Sequence, residues 1–491
     1  MKILIENGNV CSLDLPLKFA QKLYAEFAIR HPNAFYLRTR QRGMQNWDGK
    51  IHYVNKHGEF KIGLLPAVYE KCIEYGIKPK VVDMRQPLPK VSKVVTKIGE
   101  YKLRPEQEKA VKAVINNKVG KVPFQIGVLD YTVNAGKTLI MSSLYLSYKK
   151  QLKTLLITND SDWLNQARDE FKKYLPGEQI TFVQGKVLNW SNFTIGMVQS
   201  ISRNMRFYQN ELAKVDMVLV DEADQAGSKQ YQNVLTRLFN TRVRIGLSGT
   251  IYMSKLAKDK VKNMNLEVFF GKVLAEFKLK DSIKKGYSTR TIVKMVPSKP
   301  WYGNWESEEV SYKEVYDDSI TFNKYARKMV YARLKWNIKQ GRYPALVVCK
   351  FIAHCEKLCK YFKKKLGSKY NIACVHVDTP SKIRQQIMKD FREGKIDILV
   401  STTIIARGKN FPKLRYLLNA ASMDSQEKSI QFLGRLVRTD SSKKKVYLDD
   451  LHYPGPYLNR HGKHRKQYYQ KQELKVILLE KIWKNHPIHS L

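Results

Sequence analysis

One short segment has the residue types that bind phosphate groups. Residues 132–138 read Thr-Val-Asn-Ala-Gly-Lys-Thr and precede an apolar run, which is typical of a loop that opens a helix. Helix-terminal N–H groups, a lysine and a hydroxyl can together bind phosphates and Mg²⁺. We predict that Lys137 reaches the β- and γ-phosphates of a nucleotide and that Thr138 holds Mg²⁺. Because Tyr131 replaces the first glycine of the usual pattern, an incidental turn is the alternative for this segment alone.

Two carboxylates that could act with this loop follow an apolar run. Asp221-Glu222-Ala223-Asp224 comes directly after residues 217–220, so a strand is predicted to deliver the carboxylates at its carboxyl end. There Asp221 can hold Mg²⁺ and Glu222 can be poised against an attacking water. Acidic residues capping a helix are the alternative. The two motifs, in this order within one α/β unit, together indicate hydrolysis of a nucleoside triphosphate.

Two arginines late in the chain could assist phosphoryl transfer. Arg435 and Arg438 are three residues apart and would share one face of a helix. They could neutralise charge that grows on a transferring phosphoryl group, provided that the two halves of the chain face each other. A solvated basic helix face is the alternative.

Apolar runs predict the elements that would position these groups. From Tyr101 onward, β-branched runs alternate with helical segments, and the rhythm restarts after about residue 285, which predicts an α/β fold with two tandem parallel-sheet domains. Ahead of them, a helix over 16–30 and short extended segments around 35–38 and 51–54 predict a small α+β unit. The predicted strands of the two sheets include 155–157, 217–220, 243–247, 346–348, 373–377, 396–400, 416–418 and 446–448.

The net charge favours a polyanionic partner. The 491 residues include 88 Lys plus Arg against 44 Asp plus Glu, a formal net charge of +44. The mutual repulsion of so many positive charges is tolerated mainly when the partner is a polyanion, and nucleic acid is the first candidate. A lysine-rich solubilising surface is the alternative. With 43% apolar and 27% charged residues, the composition excludes a mostly disordered chain.

Cysteine usage and apolar patterning favour a reducing compartment. The six cysteines show no paired C-x-x-C spacing, and a metal site at His354, Cys355 and Cys359 is not favoured because no second ligand pair follows. Glu6 interrupts any signal-peptide apolar region, and no apolar run reaches the roughly 18 residues of a membrane span. We therefore expect a cytoplasmic protein without membrane contact, in the host bacterium if the chain is phage-encoded.

Six segments, in order, resemble the motifs of the superfamily 2 helicases and translocases. Residues 103–107 resemble the adenine-reading Q motif, 136–138 motif I, 221–224 motif II, 247–250 motif III, 406–412 motif V and 431–438 motif VI. The resemblance implies two RecA-like domains with ATP between them. It also implies nucleotide contacts, with Gln107 on the base, and nucleic-acid contacts. The implied nucleotide-binding residues are Arg104, Gln107, Asn134, Ala135, Gly136, Lys137, Thr138, Gly408 and Asn410, and the implied nucleic-acid contacts are Ser200, Thr402 and Arg407.

The letters Asp-Glu-Ala-Asp alone suggest an RNA helicase, but the neighbouring motifs do not. Motif III reads Ser-Gly-Thr at 248–250 rather than Ser-Ala-Thr, and motif VI opens with Gln431 rather than His-Arg. This pattern is closer to that of DNA translocases. Asn410 stands where many relatives have Asp, a departure in the nucleotide-contacting motif V.

The N-terminal unit resembles the DNA-binding domain of the bacteriophage UvsW-like helicases. Arg38, Arg40 and Arg42 precede Asn-Trp-Asp-Gly-Lys-Ile at 46–51, and alternate arginines on a strand would meet successive phosphates on one face. Trp47 could stack on bases, or could instead pin the Asp-Gly turn, and Lys50 is a further predicted contact. The resemblance implies a protein that uses ATP and Mg²⁺ to unwind and branch-migrate forked or Holliday-junction DNA in phage recombination, repair and replication. We expect it to act as a monomer.

The predicted organisation has four parts. Residues 1–95 would form the N-terminal DNA-binding domain, 96–280 and 281–450 the two RecA-like domains, and 451–491 a basic C-terminal tail. In the tail, a helix would place Leu474, Ile477 and Leu478 on one face, and the cations and aromatics of 461–469 would either follow a nucleic-acid backbone or belong to a docking helix. The aromatic loop 301–305 could contact a DNA junction or pack on itself.

Three alternatives stay open. One is an ATP-dependent RNA helicase. Another is a non-catalytic DNA-binding scaffold with a degenerate nucleotide site, suggested by Tyr131 and Asn134. A packaging motor or restriction translocase is less favoured, because no acidic nuclease cluster is evident.

Overall fold

The computed structural model describes residues 1–14, 16–40, 44–159, 161–251, 257–298, 310–406, 411–440 and 443–479. The chain divides into two compact units, Met1–Phe277 and Lys278–Leu491. The strands of unit 1 are β1 (Lys2–Ile5), β2 (Val10–Asp14), β3 (Ala28–Arg30), β4 (Lys50–His52), β5 (Phe60–Lys61), β6 (Lys80–Asp83), β7 (Lys97–Ile98), β8 (Tyr101–Lys102), β9 (Lys118–Val119), β10 (Val122–Pro123), β11 (Ile126–Tyr131), β12 (Thr154–Thr158), β13 (Ile180–Val183), β14 (Phe193–Met197), β15 (Met217–Asp221), β16 (Val243–Ser248) and β17 (Val273–Phe277). Its helices are α1 (Leu17–Glu26), α2 (Ala34–Arg40), α3 (Leu65–Glu74), α4 (Pro105–Ile115), α5 (Lys137–Ser147), α6 (Ser161–Tyr174), α7 (Val198–Arg203), α8 (Met205–Ala213), α9 (Lys229–Leu235) and α10 (Ala257–Phe270).

Unit 2 continues the same alternation of strands and helices. Its strands are β18 (Arg290–Pro297), β19 (Ala345–Val348), β20 (Ile372–Val375), β21 (Ile398–Ser401), β22 (Tyr416–Asn419), β23 (Lys445–His452) and β24 (Lys475–Leu478). Its helices are α11 (Leu279–Lys284), α12 (Tyr312–Tyr316), α13 (Lys324–Lys339), α14 (Ile352–Leu366), α15 (Ser381–Glu393), α16 (Gln426–Leu436) and α17 (Leu458–Lys471).

Each unit contains a seven-stranded sheet whose strand pairs are all parallel. The order is β13-β14-β12-β15-β16-β11-β17 in unit 1 and β20-β21-β19-β22-β23-β18-β24 in unit 2. Central strands such as β15 are buried along their whole length, because helices cover both faces of such sheets. The sequence of such a strand is therefore a continuous apolar run. The prediction of two tandem parallel-sheet domains is confirmed.

A small four-stranded sheet, in the order β5-β2-β1-β6, forms the N-terminal part of unit 1. Its apolar side chains share one continuous core with those of the parallel sheet. Arg244 on β16 is fully buried, and its Nη2 donates to the carbonyl oxygen of Gly8 and to Oδ1 of Asn9, both at 2.8 Å. The N-terminal sheet is thus bonded to the first parallel sheet inside one compact unit.

Two local predictions are wrong. Residues 35–38 lie in helix α2 rather than in an extended segment, and the arginines there alternate on no strand. The aromatics Phe35 and Tyr36 favour strands, but no strand among the described residues pairs with this segment, and Ala34, Leu37 and the arginines are good helix formers. The predicted helix over 16–30 also ends early, since α1 stops at Glu26 and β3 pairs with β4.

The C-terminal helix is also placed differently. The helix α17 ends at Lys471, and Glu473 has a left-handed backbone with φ 51° that cannot continue it. Ile477 and Leu478 then lie in β24, which pairs in parallel with β18, rather than on a helix face. Residues 458–478 are therefore part of the second parallel sheet and its covering helices.

No helix among the described residues is both long and apolar enough to cross a membrane. Within the same residues, no group of three or more His, Cys, Asp or Glu side chains is arranged to hold a metal ion. His354 hydrogen-bonds instead through Nδ1 to the hydroxyl of Tyr316 at 2.9 Å.

Candidate functional site

The loops of three predicted motifs lie at one edge of the first parallel sheet. Strand β16 lies between β15 and β11, with Asp221 opposite Leu247 and Asp130 opposite Ser248. Because all three strands run the same way, the loops that follow them leave from the same edge. Residues 132–136, which precede α5, are called the phosphate-type loop. A Cβ added to Gly249 would lie 2.9 Å from Cα of Thr132, so the loop after β16 touches the phosphate-type loop.

The phosphate-type loop uses two left-handed residues to turn into a helix. Asn134 has φ 64° and Gly136 has φ 72°, and α5 begins at Lys137. Glycine adopts this conformation at little cost, and asparagine tolerates it better than most residues. The turn brings Lys137 and Thr138 into the first turn of α5, where N–H groups without an intrahelical partner can bind an anion.

The amino end of α4 holds this loop at three points. The Tyr131 hydroxyl donates to the carbonyl oxygen of Glu106 at 2.7 Å, and Gln107 Nε2 donates to the carbonyl oxygen of Ala135 at 2.8 Å. Arg104 Nη1 donates to the carbonyl oxygen of Asn134 at 3.2 Å. Tyr131 is fully buried, and burial raises the pKa of its hydroxyl, so it stays a neutral donor. Tyr131, which replaces the usual glycine, thus makes a hydrogen bond that fixes the loop. The sequence motif did not indicate this contact.

Gln107, the predicted base-reading residue, is engaged at both ends of its amide. Its Oε1 accepts from the backbone N–H of Arg104 at 2.8 Å, while its Nε2 bonds the loop, and only 2% of the residue is exposed. Its contacts are therefore to the phosphate-type loop. The base contact implied by the resemblance stays a prediction.

The carboxylates of motif II sit at the end of β15. Asp221 is buried, and Glu222 follows in a left-handed backbone with φ 52°. Carboxylate and hydroxyl oxygens are the donors that Mg²⁺ prefers, so Asp221 and Thr138 form a suitable donor pair at this edge of the sheet.

A chain of amide side chains leads away from Glu222. Gln225 Nε2 donates to Glu222 Oε2 at 3.4 Å, Asn159 at the end of β12 donates to Gln225, and Gln199 Nε2 donates to the Asn159 carbonyl oxygen at 3.1 Å. Gln199 adjoins Ser200, the predicted nucleic-acid contact on α7. The Ser200 hydroxyl accepts from the N–H of Gly185 at 3.1 Å.

Motif III is bonded to motif II. The Ser248 hydroxyl donates to Asp224 Oδ1 at 2.7 Å and accepts from the Thr250 N–H at 3.2 Å. Because the two loops are hydrogen-bonded, a displacement of one should displace the other.

The paired arginines lie at the carboxyl end of α16 in unit 2. Arg435 is in its last turn and Arg438 just beyond its end. The prediction that both lie on one helical face is therefore wrong, because the helix ends at Leu436. Thr289 bonds this end, through its N–H to the carbonyl oxygen of Val437 at 2.8 Å and through Oγ1 to that of Arg438 at 3.2 Å. Lys443 donates to the carbonyl oxygens of Leu436 and Leu414, and burial lowers the pKa of this lysine to about 8.

Other predicted contacts in unit 2 are partly described. Thr402 follows β21 and is buried, and its N–H donates to the carbonyl oxygen of Val375 at 3.2 Å. Arg407, Gly408 and Asn410 lie outside the described residues, as do residues 301–305. Within residues 451–491, which were predicted to form a basic tail, Tyr469 is buried and its hydroxyl donates to Asp450 Oδ2 at 2.7 Å. The helix α17, which carries Tyr469, is therefore docked on the sheet of unit 2.

A basic, aromatic surface lies on the N-terminal part of unit 1. Arg38 and Arg40 are in the last turn of α2, and the Arg40 guanidinium lies over the Tyr36 ring at 4.9 Å. Phe35 is 81% exposed. The α2 surface is defined here as Arg30, Phe35, Tyr36, Arg38, Arg40 and Lys50; Arg30, Phe35, Arg38 and Lys50 line one groove.

Trp47 is half-buried, and its predicted stacking on bases stays a prediction. Its Nε1 donates to the carbonyl oxygen of Lys50 at 2.8 Å, and its ring meets the edge of His31. It pins the turn before β4, as the alternative prediction had it. Sequence reasoning missed Phe35 because its exposure depends on the unexpected helix α2, and it missed Arg30 because this residue ends strand β3, where a helix was predicted. Arg42 lies outside the described residues.

Comparisons with known proteins agree with this arrangement. Residues 100–253 match the family described as type III restriction enzyme, res subunit, and residues 327–440 match the helicase conserved C-terminal domain. The ATP-dependent DNA helicase uvsW of Enterobacteria phage T4 is 22% identical over 431 residues, which cover 83% of this chain and 82% of uvsW. The chain has the domains of a superfamily 2 helicase and resembles UvsW.

Other relatives match over a smaller share of their own length. The putative ATP-dependent helicase IRC3 of Saccharomyces cerevisiae is 23% identical over 71% of this chain, and the putative helicase 22 of a Sulfolobus islandicus filamentous virus is 22% identical over 72%. The chain spans 51% and 65% of these two relatives.

Two solved structures share the fold. A fragment of a putative type I restriction HsdR subunit from Vibrio vulnificus matches with a TM-score of 0.54 at 16% identity, covering 74% of this chain and 64% of the fragment. Dbp5 of S. cerevisiae bound to RNA and ADP BeF3 matches with a TM-score of 0.53 at 14% identity, covering 78% of this chain and 92% of Dbp5. This chain thus has the two RecA-like domains that its sequence motifs implied.

Proposed function

We propose that the chain is an ATP-dependent DNA helicase or translocase that unwinds and branch-migrates forked or four-way DNA. The observation that carries the proposal is the edge of the first sheet, where the loops bearing Lys137, Asp221 and Ser248 meet. The similarity to uvsW over most of both chains favours DNA as the polymer. The net charge of +44 suits a polyanion.

ATP hydrolysis is assigned to residues of unit 1. Lys137 and the N–H groups of α5 bind the phosphates, and Thr138 and Asp221 hold Mg²⁺, which neutralises phosphate charge when bound. Glu222 accepts the proton of the attacking water. The three bonds from α4 keep the loop in this conformation, so less reorganisation is needed when the nucleotide binds.

The motor requires both units. We assign Arg435 and Arg438 to the transferring phosphoryl group, so that hydrolysis would depend on closure of unit 2 over unit 1. Ser200, Thr402 and Arg407 would grip the DNA, and the amide chain from Glu222 to Gln199 links the water-activating carboxylate to the Ser200 helix. Repeated closure and opening would move the grip along the backbone.

The α2 surface is assigned to the DNA at the branch. Arg30, Arg38, Arg40 and Lys50 supply positive charge for phosphates, and the exposed Phe35 ring offers a face on which an unpaired base can stack. Base stacking on an aromatic side chain contributes about 1–3 kcal/mol. In this assignment Trp47 supports the turn and does not stack.

The test compares substrates for the monomeric chain with ATP and Mg²⁺. Matched synthetic forks, four-way junctions, linear DNA duplexes and RNA duplexes are offered to the wild-type chain and to Lys137→Ala. We expect remodelling of branched DNA by the wild type only, while Lys137→Ala still binds DNA. Preferential stimulation of the ATPase by RNA would support the RNA helicase alternative. DNA binding without ATP hydrolysis by the wild type would support the non-catalytic scaffold.

A further inference from the structure

The four residues before α16 form a segment that determines how this helix starts. This approach segment is Ser422 to Ser425, and α16 carries Arg435 in its last turn. Ser422 is buried and has a left-handed backbone with φ 44°. A non-glycine residue persists in that conformation only where its surroundings hold it.

Side chains from α12 and α17 hold this segment. The Tyr312 hydroxyl on α12 and His461 Nδ1 on α17 both bond the Ser422 carbonyl oxygen at 3.2 Å. Arg465 Nη1 on α17 donates to the carbonyl oxygen of Met423 at 2.8 Å. His464, also on α17, bonds Oδ1 of Asp424 through Nδ1 at 2.8 Å.

The helix α17 is itself fixed to the sheet. Arg465 is fully buried and bonds Asp450 on β23 through Nε at 3.0 Å and Nη2 at 2.8 Å. Tyr469 donates to the same carboxylate, and so does Asn419 of β22, at 2.8 Å. At Gly462 an added Cβ would overlap the His452 ring, so α17 approaches β23 closely. Such a helix can transmit the geometry of the sheet to whatever it contacts.

We infer that α17 is a positioning helix for Arg435 of α16, and that His461 is the positioning residue through which it acts on the approach segment. The inference rests on the proposed function of Arg435. It predicts that hydrogen bonds to residues 422–424, which lie outside the six motif segments and about 14 Å or more of helix length before Arg435, control the rate of ATP cleavage.

His461 offers a substitution pair that separates its hydrogen bond from its bulk. Burial lowers the pKa of His461, so the ring is neutral near pH 7, and the bond to a carbonyl oxygen requires the proton on Nδ1. The amide nitrogen of asparagine can occupy the place of Nδ1, whereas that of glutamine reaches the place of Nε2. His461→Asn should therefore retain the bond, and His461→Gln should lose it.

The experiment measures DNA-stimulated ATP hydrolysis by the full chain at saturating forked DNA. We expect His461→Gln to lower kcat about 3- to 10-fold, the effect of losing roughly one hydrogen bond in transition-state alignment, with KM for ATP changed less than about twofold. His461→Asn should restore kcat to within about twofold of wild type. Tyr312→Phe removes the second donor while keeping the ring, and should lower kcat in the same way. Gln467→Ala, on the exposed side of α17, is the control and should change neither constant.

A double-mutant cycle with Arg435→Ala decides between positioning and general destabilisation. If His461 acts through Arg435, His461→Gln should lower single-turnover ATP cleavage no further in the Arg435→Ala background. Equal effects in both backgrounds, or equal kcat for the Asn and Gln variants, would overturn the inference. If Arg435→Ala leaves kcat unchanged, it is the proposed role of Arg435 that fails, and the cycle shows this separately.

Discussion

Gly136→Ala should disrupt the phosphate-type loop through two separate effects. Gly136 has φ 72° and ψ 46° at the start of α5, a conformation that costs alanine about 1 kcal/mol. The added Cβ would also overlap the Gln107 amide nitrogen. Gln107 would have to move and give up its 2.8 Å bond to the carbonyl oxygen of Ala135.

The magnitude follows from these two contacts. Leaving a buried polar group without its hydrogen bond costs about 1–3 kcal/mol, so the free energy of unfolding should fall by about 2–4 kcal/mol in total. Because the displaced loop carries Lys137 and Thr138, ATP binding should weaken as well.

Urea unfolding of the full chain and binding of a fluorescent ATP analogue measure the two effects. Gly177→Ala is the matched control, since Gly177 has φ 76° but no neighbouring atom within 4 Å of an added Cβ. It should lose only the conformational cost of about 1 kcal/mol and bind the analogue normally. Adding Gln107→Ala to Gly136→Ala should relieve the overlap and recover part of the stability. Equal losses of stability in the Gly136→Ala and Gly177→Ala chains would show that the contact with Gln107 does not resist the added Cβ.

Three further predictions concern a buried lysine, the α2 surface and a buried ion pair. Burial lowers the pKa of Lys443 from 10.5 to about 8, so between these pH values the unfolded chain holds a proton that the folded chain has released. The free energy of unfolding of the wild type, relative to that of Lys443→Met, should therefore rise as the pH rises from about 8 to 10.5. Urea unfolding at each pH measures this difference. Phe35→Ala should weaken binding of forked DNA about 5- to 100-fold in fluorescence anisotropy, whereas Trp47→Phe should change it less than about threefold; a larger loss for Trp47→Phe would reverse the two assigned roles. Arg465→Met should lower the free energy of unfolding by about 3–5 kcal/mol, because Asp450 stays buried without its cation, and the double variant Arg465→Met with Asp450→Asn should recover part of that loss in thermal unfolding; no recovery would argue against the pair.

The elements that the sequence predicted well are those whose pattern is local. Residues 217–220 read as a continuous apolar run because β15 is buried on both faces, and the same holds for the other central strands. The motif loops follow such strands, so their common edge could be expected from the strand order typical of parallel sheets.

The elements that were missed depend on partners far away in the chain. The strand β24 exists because β18, about 180 residues earlier, offers an edge for pairing. Tyr131 looks like a defect of the phosphate-type loop until Glu106, 25 residues earlier, is seen to accept its hydroxyl. Phe35 became a candidate contact only when α2 proved to be a helix that exposes it.

The most direct test of the account is ATP hydrolysis by the full chain with and without forked DNA, in the wild type, Lys137→Ala and Arg435→Ala. We expect DNA-stimulated turnover in the wild type, loss of turnover in Lys137→Ala with DNA binding retained, and a kcat at least about 100-fold lower in Arg435→Ala with little change in ATP affinity. Stimulated turnover that survives Lys137→Ala would contradict the assignment of the nucleotide site. Full activity in Arg435→Ala would contradict the requirement for both units.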